Sequence, residues 1–266
     1  MSDPTRRGLL GAALGAAALP GFVSTARGAG RKPALRVAHI TDVHITKDRD
    51  AVKGVAAMFA HMAARPDGKP DLILNTGDAV MAVDGKTSGA KAAEQIGLWK
   101  EAVKGAPAPI LSCLGNHDVW DGHEPTADVP AAKKGFGLMT EALGMPAPYY
   151  SVDRGGWHFV SLNSVCNWPT YASLSPEHFD WLKADLAKTK LPTVVLSHVP
   201  ILSVTSQVYG DACRKEKANE VPAVWHHLDC WAISEVFRKN PHVKLLWGRC
   251  SGAPACRNRA HRHRGR

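Results

Sequence analysis

The sequence predicts an α/β protein, its strands gathered into one mixed sheet or two packed sheets with helices outside. Three observations predict it. Short apolar runs suited to buried strands alternate with longer stretches of helical period. A single hairpin pattern interrupts that alternation, which a purely parallel sheet does not require. The chain, with 266 residues of which 45% are hydrophobic, is long enough for one large domain with a substantial core.

Taken in order, "ALRVAHI" (34–40) is the first strand candidate and "DAVKGVAAMFAHMAAR" (50–65) the first helix. "DLILNTG" (71–77) is a second buried strand, followed by a helix across roughly 89–104. "PILSCLG" (109–115) is the third strand. "YYSVDRGGWHFVSLNS" (149–164) reads as a hairpin turning through Asp153, Arg154, Gly155 and Gly156. "SPEHFDWLKADLAKT" (175–189) opens with Ser-Pro-Glu, a helix start with proline at the first helical position. "PTVVLSH" (192–198) is a further buried strand, and a helix through "VWHHLDCWAISEVFRKN" leads to "VKLLWG" (243–248). The polar connection 203–222 is long, and long loops in compact domains are often functional. No internal repeat is present.

Charge narrows the function classes. Residues 1–32 carry five cations against Asp3, and 249–266 carry six arginines and no acid, so the net +9 leaves −1 for residues 33–248. The body is nearly neutral, which argues against a basic nucleic-acid face. The N-terminal "TRRGLLGAALGAAALPGFV" pairs two arginines with an Ala/Gly/Leu run too short to span a bilayer comfortably. It resembles a twin-arginine export signal, which implies delivery to the periplasm or beyond and no stable membrane insertion once removed. The cysteines form no C-x-x-C pair, so a thiolate zinc site is not indicated; a Cys213–Cys230 bridge is allowed, and Cys113 reads as a small buried hydrophobe.

The strand ends carry the chemistry. "HITDVH" supplies Asp42 and His44, "NTGDAV" supplies Asp78, "GNHD" supplies Asn116, His117 and Asp118, and "LSHVP" supplies His198. Ligands bind at the carboxyl ends of strands in α/β sheets. Carboxylate, imidazole and amide together suit mid-series divalent metals, and one aspartate between two ions can bridge them. Singly, Asp78 and Asn116 could equally be turn residues beside glycine. His61, His158, His178 and His242 show no partner pattern and read as surface or core histidines. Trp120, His123, Trp168 and Tyr171 are candidates to shape a leaving-group pocket.

Asp-x-His, Gly-Asp, Gly-Asn-His-Asp and a downstream histidine, in that order and each after an apolar strand, resemble the calcineurin-like metallophosphoesterase superfamily over residues 33–248. The resemblance implies a four-layer α/β/β/α sandwich and two divalent ions (Mn, Fe or Zn). It implies hydrolysis of small-molecule phosphate mono- or diesters by in-line attack of a metal-bound hydroxide. Asp42 and His44 would hold the first ion, Asp78 would bridge, and Asn116 and His198 would hold the second. His117 would serve the leaving group and Asp118 would orient His117. The motif set is closer to cyclic-nucleotide and glycerophosphodiester members than to purple acid phosphatases, because Met81 stands where the latter carry a tyrosine ligand. One departure matters. The family's Gly-His-x-His should follow the last strand, yet Arg249 and Ser251 stand at its two histidines, and the Arg-rich 249–266 has no large apolar residue. This departure implies a second sheet that is incomplete, a disordered tail, and a chain whose activity is impaired or lost.

Overall fold

The computed structural model describes residues 35–202 and 226–248. The N-terminal segment that resembles an export signal, the connection 203–222, Cys213 and the basic tail lie outside them.

Among the described residues, seven strands fall into two sheets. The first is fully parallel, in the order β1 (Val37–Ile40), β2 (Leu72–Asn75), β3 (Ile110–Ser112), with Val37 opposite Leu72 and Ile73 opposite Ile110. The second is mixed: β4 (Tyr150–Arg154) runs antiparallel to β5 (Trp157–Ser161), and β6 (Thr193–Ser197) and β7 (Val243–Gly248) continue parallel to it. The hairpin turn is tighter than the sequence suggests. Asp153 and Arg154 belong to β4, and only Gly155 and Gly156 turn the chain, with φ of 57° and 78°. Two successive positive φ angles are what a two-residue hairpin loop needs, and glycine adopts them without a Cβ clash.

The helices are α1 (Ala51–Ala63), α2 (Gly89–Val103), α3 (Gly137–Ala142), α4 (Pro176–Lys188) and α5 (Cys230–Lys239). Ser88 and Ser175 cap α2 and α4, accepting the amides of Lys91 and His178. Among the described residues the last helix starts at Cys230, and the residue before it, Asp229, turns its side chain elsewhere, its Oδ2 accepting the Leu174 amide at 2.8 Å. Among the described residues no helix is long and apolar enough to cross a membrane.

Period-two alternation builds the layers. Leu72 and Leu74 of β2, Phe159 of β5, and Val194 and Leu196 of β6 meet Cys113 in one apolar cluster between the sheets. The intervening residues face outward. Ile73 packs with Val55, Phe59, Ile96 and Trp99 under α1 and α2. Val160 and Val195 pack with Leu182, Leu186, Ile233 and Val236 under α4 and α5. The arrangement is the four-layer α/β/β/α sandwich. Fully burying each of these aliphatic side chains contributes roughly 1.5–3 kcal/mol. A polar pin joins the sheets as well: the Tyr150 hydroxyl donates to the Ser112 carbonyl at 3.0 Å and accepts the Ser112 amide at 3.2 Å. Burial pushes the Tyr150 phenol up to about 12, so it stays a donor across the physiological range. Trp120, a candidate pocket residue by sequence, is fully buried in the core of the first sheet's outer layer.

Candidate metal centre

The strands β1, β2, β3 and β6 all release their chains at one end of the sandwich, and each delivers polar side chains there. After β1 and β2 the backbone turns left-handed at the ligand candidates themselves: Asp42, His44 and Asp78 have φ of 51°, 48° and 56°. Left-handed backbone costs a non-glycine residue roughly 1–2 kcal/mol. The loops hold this geometry by pairing with each other, the amides of Asp42 and His44 donating to the carbonyls of Gly77 and Asp78 at 3.1 and 3.0 Å. Two glycines admit the approach of the next strand. A Cβ on Gly77 would sit 2.7 Å from the Gly115 backbone and from His198 Nδ1, and one on Gly115 would sit 2.2 Å from Asp78 Oδ1.

Asp78 stands at the centre, fully buried. Its Oδ1 accepts the His117 amide at 2.9 Å. Its Oδ2 makes no well-formed hydrogen bond and faces two imidazoles, His198 Nε2 at 3.3 Å and His44 Nε2 at 3.6 Å. Burial works against charge on Asp78, but His198, followed by His117, outweighs it and holds the carboxyl below its ordinary pKa. His44 Nε2 also lies 3.6 Å from Asp42 Oδ1, whose partner oxygen accepts the Thr41 hydroxyl. His198 Nδ1 contacts the Thr76 carbonyl at 2.8 Å, which places a proton on that nitrogen, and Nε2 faces Asp78 and Asn116 Oδ1, the latter 3.0 Å away.

Oxygens and an imidazole nitrogen this close repel unless a proton on His198 Nε2 or a metal ion lies among them, and the cluster is too buried for water to relieve this cheaply. A shared cation resolves it: donors about 2.1 Å from one ion stand roughly 3–3.5 Å apart, close to the separations seen. The residues therefore fit divalent metal ions. Two groups of donors lie within 4.8 Å of one another, His44–Asp78–His117 and Asp42–Asp78–His198, with Asp78 in both. His44 Nε2 is as near to Asp42 Oδ1 as to Asp78 Oδ2, 3.6 Å in each case, so Asp42 and His44 also lie close enough to share one ion. Asp78 is common to both groups, and Asn116 sits beside the second, its Oδ1 3.0 Å from His198 Nε2.

Asp118 requires a correction. Sequence reasoning made it the partner of the His117 ring, but its Oδ2 instead accepts the backbone amides of Gly115 and Asp78 at 2.8 and 2.9 Å. Burial, reinforced by the nearby Asp78 charge, pushes its carboxyl up to about 7. The 3-10 turn Asn116–Asp118 points consecutive side chains in different directions, so adjacency in sequence does not become contact in space. The residue facing His117 is Asp84, its Oδ1 3.3 Å from Nδ1. Asp84 holds the His117 pKa above its ordinary value, more strongly than burial lowers it. His117 also meets His44 edge-on, ring centroids 4.9 Å apart. Asp84 carried no motif, and only the fold brings it here. His158 is likewise not solitary: Asp153 and Asp185 flank its two nitrogens at 2.6 and 2.9 Å.

The chain is 30% identical over 232 residues to a probable cyclic nucleotide phosphodiesterase of Synechococcus sp., covering 83% of this chain and 78% of that protein. It is 27% identical over 186 residues to a 3',5'-cyclic-nucleotide phosphodiesterase of Nostoc sp., covering 67% of this chain and 62% of the relative. Among solved structures, a dimetal phosphatase from Danio rerio superposes with a TM-score of 0.55 at 10% identity, covering 80% of both chains. A yellow lupin purple acid phosphatase superposes with a TM-score of 0.50 at 14% identity, covering 80% of this chain and 37% of its own. The profile of the calcineurin-like phosphoesterases matches residues 35–245, and the chain belongs to that family.

Proposed function

We propose that this chain hydrolyses small-molecule phosphate esters, with a leaning toward diesters such as cyclic nucleotides, by in-line displacement at the Asp78 cluster. The single observation that carries this is the buried Asp78 Oδ2, faced by one imidazole from each donor group. A pair of divalent ions held by Asp42, His44, Asp78, Asn116 and His198 would supply positive charge for the phosphate oxygens and a lowered pKa for water. The protein's own groups do the rest. Water, its proton released to solvent, forms the new P–O bond as the opposite P–O bond breaks, and the leaving oxygen takes a proton from His117. Asp84 keeps that proton on His117 to higher pH than a free imidazole would hold it. Asp118 holds Gly115 against Asp78 and so sets the distance between the β2 and β3 loops. The diester leaning rests on the names of the two cyanobacterial relatives and on Met81 in place of a tyrosine.

A second reading is favoured by one observation, Arg249 and Ser251 in place of the family's two further histidines. On that reading both ions are held weakly and the chain is an impaired or inactive relative. Hydrolysis of bis(p-nitrophenyl) phosphate, titrated with Mn, Fe or Zn and compared with Asp78→Ala and His117→Ala, separates the two. Turnover above both variants supports the enzyme, and turnover equal to them at every metal concentration supports the inactive form. The twin-arginine segment supports export to the periplasm, which cell fractionation with and without Arg6 and Arg7 would test.

A further inference from the structure

A buried polar chain lies behind His198 and belongs to none of the family motifs. His227 is fully buried, its Nε2 3.2 Å from the Ser197 hydroxyl oxygen and its Nδ1 2.9 Å from Asp229 Oδ1. Ser197 donates its only hydroxyl proton to the Val199 carbonyl at 2.7 Å, so its oxygen meets His227 with a lone pair. Asp229 is fixed in turn by the Leu174 amide at 2.8 Å. The order Ser–His–Asp invites comparison with a nucleophilic triad, but Ser197 is buried with its proton committed to a backbone carbonyl, so no substrate atom can reach an activated oxygen.

The chain does something else. His198 is the last ligand candidate of β6, and the residues on both sides of it are gripped by His227. The ring holds Ser197 on one side, and the His227 amide donates to the Pro200 carbonyl at 3.0 Å on the other. Between them, the Val199 amide donates to Ser164 Oγ at 3.0 Å. The grip is anchored away from the centre, where the Leu228 amide donates to the Ala172 carbonyl and His227 bridges Ala172. His198 therefore has two constraints. Thr76 fixes the rotation of its ring from the first sheet, and the bracket fixes the position of its backbone from the α5 side.

We infer that His227 is a positioning residue for the His198 side of the metal centre, holding Ser197 and Pro200 so that His198 Nε2 meets Asp78 and Asn116. This rests on the proposed metal function. Partners outside the ligand shell typically set metal affinity by about 10–100-fold, and the same range applies here to one ion and not the other. A merely structural histidine would lower stability without distinguishing the two ions.

The test uses the full chain stripped of metal and titrated calorimetrically with MnCl2, with the thermal midpoint in EDTA recorded for each variant. His198→Ala marks the ion that His198 serves. His227→Ala should weaken that same ion by about 10–100-fold and leave the other unchanged, while His227→Gln, which keeps an N–H able to reach Ser197, should recover part of the loss. A folded His227→Ala that binds both ions as the wild type does, or that weakens both equally, overturns the inference. If His227→Ala does not fold, Ser197→Ala takes its place, with selective weakening expected and unchanged binding overturning. A wild type whose Mn binding is indifferent to His198→Ala removes the metal function, and this inference with it.

Discussion

The two sheets bring ligands to the same centre by different means. The first sheet does it with strained turns: Asp42, His44 and Asp78 are left-handed, and Gly77 has φ of 96° against the Gly115 backbone. The second sheet does it without left-handed turns. β6, whose one register irregularity against β7 lies at its far end between Thr193 and Val194, runs to Ser197 and presents His198 from a bracket of side-chain and amide hydrogen bonds. The difference teaches where each half of the site is vulnerable. Strained turns depend on the absence of a Cβ and on loop pairing, so they fail by local backbone change. A bracket depends on partners distant in sequence, so it fails by loss of a neighbour.

The largest effect should come from the residue common to both halves. Asp78→Ala removes the only carboxylate shared by the two donor groups, and its loss should exceed the 10–100-fold typical of outer partners, at roughly 10³-fold in kcat/KM. Metal analysis of the dialysed protein should show both ions depleted. Retention of two ions would mean the halves do not meet at Asp78. Next, Gly77→Ala tests the strained half: a Cβ 2.7 Å from backbone at positive φ should cost about 3 kcal/mol in urea unfolding without metal. A cost below about 0.5 kcal/mol, ordinary for a surface change, would show that the turns relax.

His117→Ala should lower kcat by on the order of 10²-fold with metal content intact, as for a lost general acid. Asp84→Asn should move the alkaline limb of the pH–rate profile down, because Asp84 is what raises the His117 pKa. An unmoved limb would separate His117 from proton transfer.

The last contrast, which leaves activity near neutral pH unchanged, sets two histidines remote from the centre against each other. His178 is buried without a hydrogen-bond partner on either nitrogen, stacks on Tyr149 at 3.9 Å, and is driven down to about 3 by burial. Between pH 6.5 and 3 the unfolded chain binds the extra proton. Its contribution therefore makes stability fall with acidification, by up to about 1.4 kcal/mol per pH unit. His178→Phe should flatten that part of the urea-unfolding profile. His158 has the opposite sign. Its pKa is raised, chiefly by Asp185 and further by Asp153, so its contribution is complete below pH 6.5 and fades as pH rises through the raised value. His158→Gln should therefore cost least in alkali; an equal cost at all pH would exclude a charged clamp.

The alternation of Leu72, Leu74, Val194 and Leu196 with outward-facing neighbours was legible because a strand's period is fixed by the backbone. So was the order of Asp42, His44, Asp78, Asn116 and His198 at strand ends, since each motif is local. The start of α5 was not legible. The Asp229 carboxylate just before it is taken by the neighbouring His227 and by Leu174, 55 positions away in the chain.

What the sequence by itself determined is which residues end the strands, and hence the family and the donor types, because those follow from short-range periodicity and turn chemistry. What only the tertiary structure decided is who faces whom. Asp84, not the adjacent Asp118, meets His117, and His227 closes on Ser197 across 30 positions. The physical reason is that a 3-10 turn and a sheet crossing set side-chain directions in three dimensions, and contact follows direction rather than spacing.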